Sequence, residues 1–399
     1  MRARAREDWL RVPELLCVED YRRLARRRLP RLAFDFIDGG ADSEVTLRRN
    51  VAAFEGLTLR PRHLVDVSAR SLETTVLGER VGLPVLIAPT GMSRVAGRGG
   101  DVAGARAAAA AGAVFVLSTM SSDSIEEVRA AASGPLWFQL YLWAQRAILE
   151  RLIDRAAAAG CHALVVTVDV PVIGNRRRDA RNGFSLPPKL RWRTAADLLR
   201  HPRWLAHAPS AVGAAHFLDD AGVRPAATME HARMVNRLLA NPSSTWSDLA
   251  WLRERWAGPL LVKGTLTAED ARLAVECGVD GIVVSNHGGR QLDGAPATID
   301  ALVEVAEAVG DQVELLVDGG VRHGTDVIKA RARGARAVLI GRPWLYGLAA
   351  AGEAGVAGVL EILRSEIDRA LALLGRARFD DVDASVLSAA TTTTIPGTT

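Results

Sequence analysis

Lysine is nearly missing from this chain. Of 50 basic residues only Lys189, Lys263 and Lys329 are lysines; the others are arginines. A lysine kept in such a background marks a position where a compact charge with a tunable pKa differs from a guanidinium, and this singles out Lys263. Cysteine is scarce too. Cys17, Cys161 and Cys277 stand far apart, which excludes a closely spaced metal knuckle and a disulfide framework. They read as reduced structural thiols, as in a cytoplasmic protein, and no metal is expected. No run of about 18 apolar residues indicates a membrane-spanning helix. The N-terminal MRARAREDWLRV has no apolar stretch after its arginines, so it does not read as a secretory signal. A net charge of only +4 gives a nucleic-acid partner no support. The basic run RRLARRRLPR, Arg22 to Arg31, reads as the solvated face of a helix.

What is present is a repeat. From about residue 82, short Val/Leu/Ile-rich runs alternate with Ala-rich amphipathic segments that stop at glycine. The apolar runs are LPVLIAP, AVFVLST, LWFQLYL, ALVVTVD, PLLVKG, GIVVSN, VELLVDG and AVLIGR. They are continuous rather than alternating, as strands buried on both faces of a parallel sheet are. Helix-spaced segments such as ILERLIDRAAAAG and TIDALVEVAEAVG follow them, and glycine is a common helix stop. Eight such units predict an α/β fold, a TIM (β/α)8 barrel. A doubly wound open sheet is the alternative, but PTGMSRVAGRGG lacks its GxGxxG turn. The expected organisation is an N-terminal helical extension over 1–80, whose helices close the lower end of the barrel or lean over its mouth. The barrel follows over 81–375, interrupted after its fourth strand by an insertion over 176–258, and a tail covers 376–399. AATTTTIPGTT at the end has no core-forming pattern.

A barrel carries its chemistry at the carboxyl ends of its strands. Those ends hold Pro89, Thr90 and Gly91; Ser118; Gln139 and Tyr141; Thr167 and Asp169; Lys263; Ser285 through Arg290; Asp318, Gly319 and Gly320; and Gly341 with Arg342. Polar or glycine residues at every end describe an active-site mouth. After the last two strands, Gly319, Gly320 and Gly341 beside Arg322 and Arg342 suit a phosphate, because glycine lets backbone N–H groups approach and arginine binds oxygens in pairs. Tight turns alone would account for the glycines but not for the arginines.

SNHGGRQLDG (Ser285–Gly294), preceded by LVKG and followed by LVDGGVRHGTDV, resembles the FMN-dependent 2-hydroxy-acid oxidase and dehydrogenase family. IAPTG, WFQLY, VTVDVP and LIGRPWLYGLA match in order, so the resemblance runs from Val18 to about Gly375. It implies an FMN cofactor with its ring against Pro89, Thr90 and Gly91. Ser118, Gln139, Thr167 and Ser285 would then lie at its edges, with Lys263 near its pyrimidine end. Asp318 is implied on the ribityl hydroxyls, and Gly319, Gly320, Arg322, Gly341 and Arg342 around the phosphate. It also implies His287 as catalytic base, Asp169 as its partner and Tyr141 on the substrate hydroxyl. Arg176 and Arg290 would hold a carboxylate. The substrate implied is an L-2-hydroxy acid, the electron acceptor oxygen or a quinone, and the assembly a homo-oligomer, with a tetramer favoured.

Phe36 departs from the family pattern, which commonly has tyrosine there. This points to an aromatic, mandelate-like substrate, with lactate as the alternative, and residues 18–31 and the HPRW segment look most like the mandelate dehydrogenases. Gly91, where many oxidases of the family have alanine, points instead to the acceptor, a membrane quinone rather than oxygen. The insertion segment KLRWRTAADLLRHPRWLAH, 189–207, interleaves arginines with Trp192, Leu198, Leu199, Trp204 and Leu205. That pattern suits a helix lying in a membrane interface, on the cytoplasmic face; a soluble lid or a subunit contact fits it as well. Two other readings stand beside the hydroxy-acid enzyme: a flavoprotein of this fold acting on a larger or peptide-derived substrate, and a membrane-docked binding protein without catalysis.

Overall fold

The computed structural model describes residues 15–184, 192–207 and 241–388. The expected barrel is there. Eight parallel strands close on themselves, each paired with the next in chain order and the last with the first. They are β3 Val85–Ile87, β4 Phe115–Ser118, β5 Leu136–Tyr141, β6 Leu164–Thr167, β7 Leu260–Thr265, β8 Gly281–Val284, β9 Glu314–Asp318 and β10 Ala337–Ile340. Each coincides with one of the apolar runs. Their continuity has the expected cause: alternate residues serve two cores. Leu86, Val116, Trp137, Val165, Leu261, Val283, Leu316 and Leu339 fill the barrel interior, while Val85, Phe115, Phe138, Val166 and Ile282 face the helices.

The lower end of the barrel is closed by strands, so of the two places expected for the N-terminal helices the lower end is already taken. A hairpin, β1 Thr74–Val76 with β2 Glu79–Val81, pushes Val76 and Val81 into the barrel interior cluster. Its turn is anchored by Leu77 N donating to Glu314 Oε2 at 2.9 Å and by His162 Nε2 against Leu77 O at 2.9 Å. The N-terminal helices go to the mouth instead. They are α1 Val18–Arg28, α2 Arg31–Asp38 and α3 Val45–Glu55. Arg22 of α1 does more than face solvent: it binds Asp38 at 2.6 Å, and Tyr346 donates to the same carboxylate at 2.7 Å. Asn50 of α3 exchanges two 2.8 Å side-chain hydrogen bonds with Asn286 beyond β8.

Helices α4 Gly100–Ala110, α5 Ile125–Ala131 and α6 Arg146–Ala158 follow the first three barrel strands. After β6 the chain leaves the barrel through α7 Arg177–Asn182, α8 Trp192–Leu199 and α9 Pro202–Leu205, and returns through α10 Trp246–Arg255. The remaining barrel helices are α11 Ala268–Glu276, α12 Thr298–Val309, α13 Gly324–Ala332 and α14 Arg342–Leu373. By length and composition α14 could cross a membrane, but half of that stretch is buried in the fold, and its backbone breaks at Ala351–Gly352. At the C-terminus Phe379 is buried and Leu387 bridges to Leu59. The segment AATTTTIPGTT lies outside the described residues.

Candidate active site

The upper ends of the strands and the N-terminal helices enclose one cleft. Phe36, Pro89, Thr90, Gly91, Tyr141, Arg176, Lys263, His287, Arg290, Asp318, Gly319, Gly320, Arg322, Gly341 and Arg342 all line it. Ser118, Gln139, Thr167 and Ser285 are buried at the same strand ends, and Asp169 is bonded to His287. Gln139 accepts from Ser118 Oγ at 3.0 Å and donates to Thr167 Oγ1 at 3.0 Å, which holds three strand ends in register and leaves Gln139 a second amide hydrogen.

The turn after β8 explains why two glycines separate a histidine from an arginine. His287, Gly288 and Gly289 are all left-handed, with φ of 58°, 63° and 73°. For a histidine this costs about 1–3 kcal/mol. The conformation is held by His287 N donating to Ser285 Oγ at 3.0 Å and by His287 Nδ1 lying 2.9 Å from Asp169 Oδ1. At Gly289 a Cβ would meet the Leu47 backbone nitrogen at 2.6 Å. The turn therefore folds tightly under α3 and aims both His287 and Arg290 into the cleft.

Charge in the cleft is unevenly balanced. Burial lowers the His287 imidazole below its ordinary value, with Lys263 and Arg176 pushing the same way and Asp169 opposing them. Burial favours the neutral Asp169 carboxyl, but His287, through charge and hydrogen bond, and Lys263 outweigh it and hold it below the ordinary value. A neutral imidazole donating Nδ1–H to the Asp169 carboxylate is the arrangement consistent with both, and it leaves the Nε2 lone pair for another partner. Lys263 binds Asp318 Oδ2 at 2.9 Å and donates to Ser285 Oγ at 2.8 Å. Burial works against its charge, yet Asp318 and Asp169 raise its pKa above the ordinary value, so it is a fixed cation. The Tyr141 phenol is raised by burial and by Asp169 and stays protonated.

The guanidiniums are the unbalanced part. Burial lowers Arg176, and it lowers Arg290 strongly, with Arg176 and Arg342 adding like-charge repulsion. Arg342 is lowered chiefly by burial. Buried cations in this state are relieved by anions. The cleft also holds polar atoms with no protein partner among the described residues: Thr90 Oγ1, Asp318 Oδ1 and Arg176 Nε. At Gly320, with φ of 95°, a Cβ would meet Asn50 O at 2.3 Å, so the backbone there is bare by necessity. Apolar floor, unsatisfied hydroxyl and carboxylate, bare glycine turn and arginines together fit a ligand with a flat ring, a polyol and a phosphate, which is the make-up of FMN.

Several contributors to the site were not legible in the sequence. Met92, Met120, Val170 and Ile173 line the cleft, but apolar residues near strand ends read as core. Phe184 stacks on Phe36, ring centroids 4.3 Å apart, and nothing in its sequence neighbourhood signals that contact.

Comparison with known proteins agrees with this cleft. The FMN-dependent dehydrogenase family model matches residues 25–389. An L-lactate dehydrogenase of Caulobacter vibrioides (strain NA1000 / CB15N) is 45% identical over 382 residues, covering 92% of this chain and 96% of its own. An L-lactate oxidase of Nostoc sp. (strain PCC 7120 / SAG 25.82 / UTEX 2576) is 46% identical, covering 92% and 96%. Among solved structures, the monotopic membrane protein (S)-mandelate dehydrogenase superposes with a TM-score of 0.86 at 39% identity, covering 94% of this chain and all of its own. The match spans the N-terminal helices and the whole barrel, and the cleft carries the groups that FMN requires. The chain therefore belongs to the FMN-dependent dehydrogenase family, a flavoenzyme oxidoreductase with FMN as its cofactor.

Proposed function

We propose that the cleft oxidises an L-2-hydroxy acid to the 2-oxo acid. One observation carries the reading: the His287–Asp169 pair, 2.9 Å apart, shares a cleft with two buried guanidiniums, Arg176 and Arg290, whose charge burial opposes more than the nearby Asp179 offsets. A 2-hydroxy acid supplies what each lacks, a proton for the base and a carboxylate for the arginines. In this reading Arg176 and Arg290 bind the carboxylate and orient the substrate carbon under His287 Nε2. Tyr141, protonated, donates to the substrate oxygen. His287 takes up the departing proton at Nε2, and the Asp169 carboxylate stabilises the imidazolium that results. FMN, when bound, would accept the two electrons that the substrate loses together with the one hydrogen that His287 does not take.

Pro89, Thr90 and Gly91 would back the ring, with Ser118, Gln139, Thr167 and Ser285 supporting its polar edges. Lys263 would supply a fixed positive charge at the end of the ring that gains electron density. Asp318 would hold the polyol, and Gly319, Gly320, Arg322, Gly341 and Arg342 the phosphate. The side-chain preference we infer is aromatic, on the strength of Phe36 with Phe184 behind it and of Met120, Val170 and Ile173 along the same cleft.

Electrons would pass on to oxygen or to a membrane quinone. Peripheral membrane contact through 189–207 belongs to the same proposal, but the surface differs from the single amphipathic helix expected. The described part is two short helices, α8 and α9. Trp204 is buried and donates to Val95 O at 2.9 Å, and Leu198 and Leu205 pack on the core. Trp192 and Leu199, each 76% exposed, are the apolar groups left to face a bilayer; residues 189–191 lie outside the described residues. A homo-oligomer, with four copies favoured, completes the proposal.

Anaerobic titration of the purified protein with mandelate, lactate and glycolate in parallel tests this function. Bleaching of the flavin band by at least one of them is expected, fastest with mandelate. A flavin that none of them bleaches overturns the reading, and bleaching by lactate alone overturns the aromatic preference.

A further inference from the structure

Helices α2 and α7 interlock beside the cleft. Arg178 of α7 binds Asp38 at 2.8 Å and also binds Glu44, and Asn182 binds Asp35. Just past α7, Phe184 stacks on Phe36 of α2 with planes 21° from parallel. Phe36 in turn touches Arg290 in two ways. Its ring lies 5.3 Å from the guanidinium carbon, and its carbonyl accepts from Arg290 Nη1 at 2.8 Å. Gly39 O accepts from the same Nη1 at 2.9 Å.

Donor arithmetic follows. Nη1 has two hydrogens, and the end of α2 takes both. The edge formed by Nε and Nη2 is left to grip an anion in the paired fashion that a planar guanidinium favours. Which edge faces the cleft depends on the guanidinium plane, and the Phe36 ring against it fixes that plane. The ring also offers a buried cation its negative face. Phe184 covers one face of the Phe36 ring and so limits how that ring can turn about its side-chain bonds.

Resting on the reading of the cleft as a hydroxy-acid site, we propose that Phe184 is a positioning residue for carboxylate recognition. Through Phe36 it keeps Arg290 turned with Nη1 on the α2 carbonyls and the Nε–Nη2 edge on the substrate carboxylate. Neither the reacting atoms nor the cofactor need touch Phe184. Its effect is specific to the charge of the ligand, which a general contribution to folding would not be.

The test is calorimetric titration of the oxidised FMN-loaded enzyme with an aromatic 2-oxo acid and with the matching 2-oxo amide, which lacks the carboxylate. Phe184→Leu should weaken the acid by roughly five- to thirtyfold, the worth of one desolvated cation–π contact, and leave the amide nearly unchanged. Phe184→Tyr, which retains the stack, should bind the acid as the wild type does. In flavin reduction Phe184→Leu should raise the half-saturating substrate concentration while nearly preserving the limiting rate. Because Phe184 acts through Phe36, the double variant Phe36→Leu/Phe184→Leu should lose no more acid affinity than Phe36→Leu alone. Equal weakening of acid and amide, no weakening of either, or additive losses in the double variant would overturn the proposal. A wild type that does not prefer acid to amide would instead overturn the hydroxy-acid reading itself.

Discussion

His287 Nδ1 and Asp169 Oδ1 lie 2.9 Å apart, one on the turn after β8 and the other just beyond β6. Two strands that are not neighbours in the sheet thus contribute one hydrogen-bonded pair, and the pairing selects Nε2 as the imidazole nitrogen that faces the cleft. Replacing His287 with Ala should leave FMN bound and slow flavin reduction by about two to four orders of magnitude, the contribution of a positioned base. Single-turnover stopped-flow reduction measures this, and a near-normal rate would remove His287 from the mechanism.

The same pair sets a pH dependence. Only neutral His287 can accept a proton, and burial holds its pKa below the ordinary 6.5. The acidic limb of kcat/KM should therefore fall below that value, with activity rising as pH increases through it. Asp169 raises the imidazole pKa, so Asp169→Asn should move the limb to still lower pH while lowering the plateau by at least about tenfold, since the imidazolium loses its partner. A limb displaced to higher pH would contradict the assignment.

Phe36 lines the cleft with its ring 5.3 Å from the Arg290 guanidinium carbon, at the position where the family commonly has tyrosine. Phe36→Tyr should tighten small 2-hydroxy acids by about 1.5–3 kcal/mol, the worth of a hydrogen bond to a charged group. It should not improve mandelate-type substrates, whose ring uses the apolar surface. Dissociation constants from rapid-reaction flavin reduction decide this, and equal gains on all substrates would refute the selectivity.

Gly289 and Gly294 both have positive φ, 73° and 92°, but only Gly289 is crowded. Gly289→Ala adds a collision with the Leu47 backbone to a backbone cost of about 1–3 kcal/mol. Gly294→Ala adds the backbone cost alone. Thermal unfolding of the FMN-loaded protein should show the larger fall in Tm for Gly289→Ala, and equal falls would mean that α3 yields without cost.

Membrane contact is testable through Trp192 and Leu199. Co-sedimentation with anionic liposomes should be strong for the intact protein and weak after both residues are changed to Ser, with flavin content unchanged. An intact protein that stays in the supernatant and is rapidly reoxidised by dioxygen would mark a soluble oxidase.

The sequence by itself determined the barrel. Strands buried on both faces must be apolar throughout, helices outside them must be amphipathic, and a barrel must place its polar residues at one end, so the eight-fold repeat and the order of site residues could both be read directly. SNHGGRQLDG carried its own conformation, because two glycines after a histidine permit a left-handed turn that few other residues allow. Contacts between segments far apart in the chain were decided only by the tertiary structure. Val76 and Val81 plug the barrel because the hairpin's two apolar residues fit its open end, which no local pattern announces. Arg22 turns inward because Asp38 lies within reach, although its neighbours Arg23 and Arg26 remain in solvent. Trp204 leaves the expected amphipathic face because Val95 O offers its indole a partner. Phe184 meets Phe36 across 148 positions of chain, near enough to touch only because α2 and α7 pack side by side. Periodicity reports how one segment divides its residues between core and solvent; which residue of another segment it meets depends on the packing of the whole.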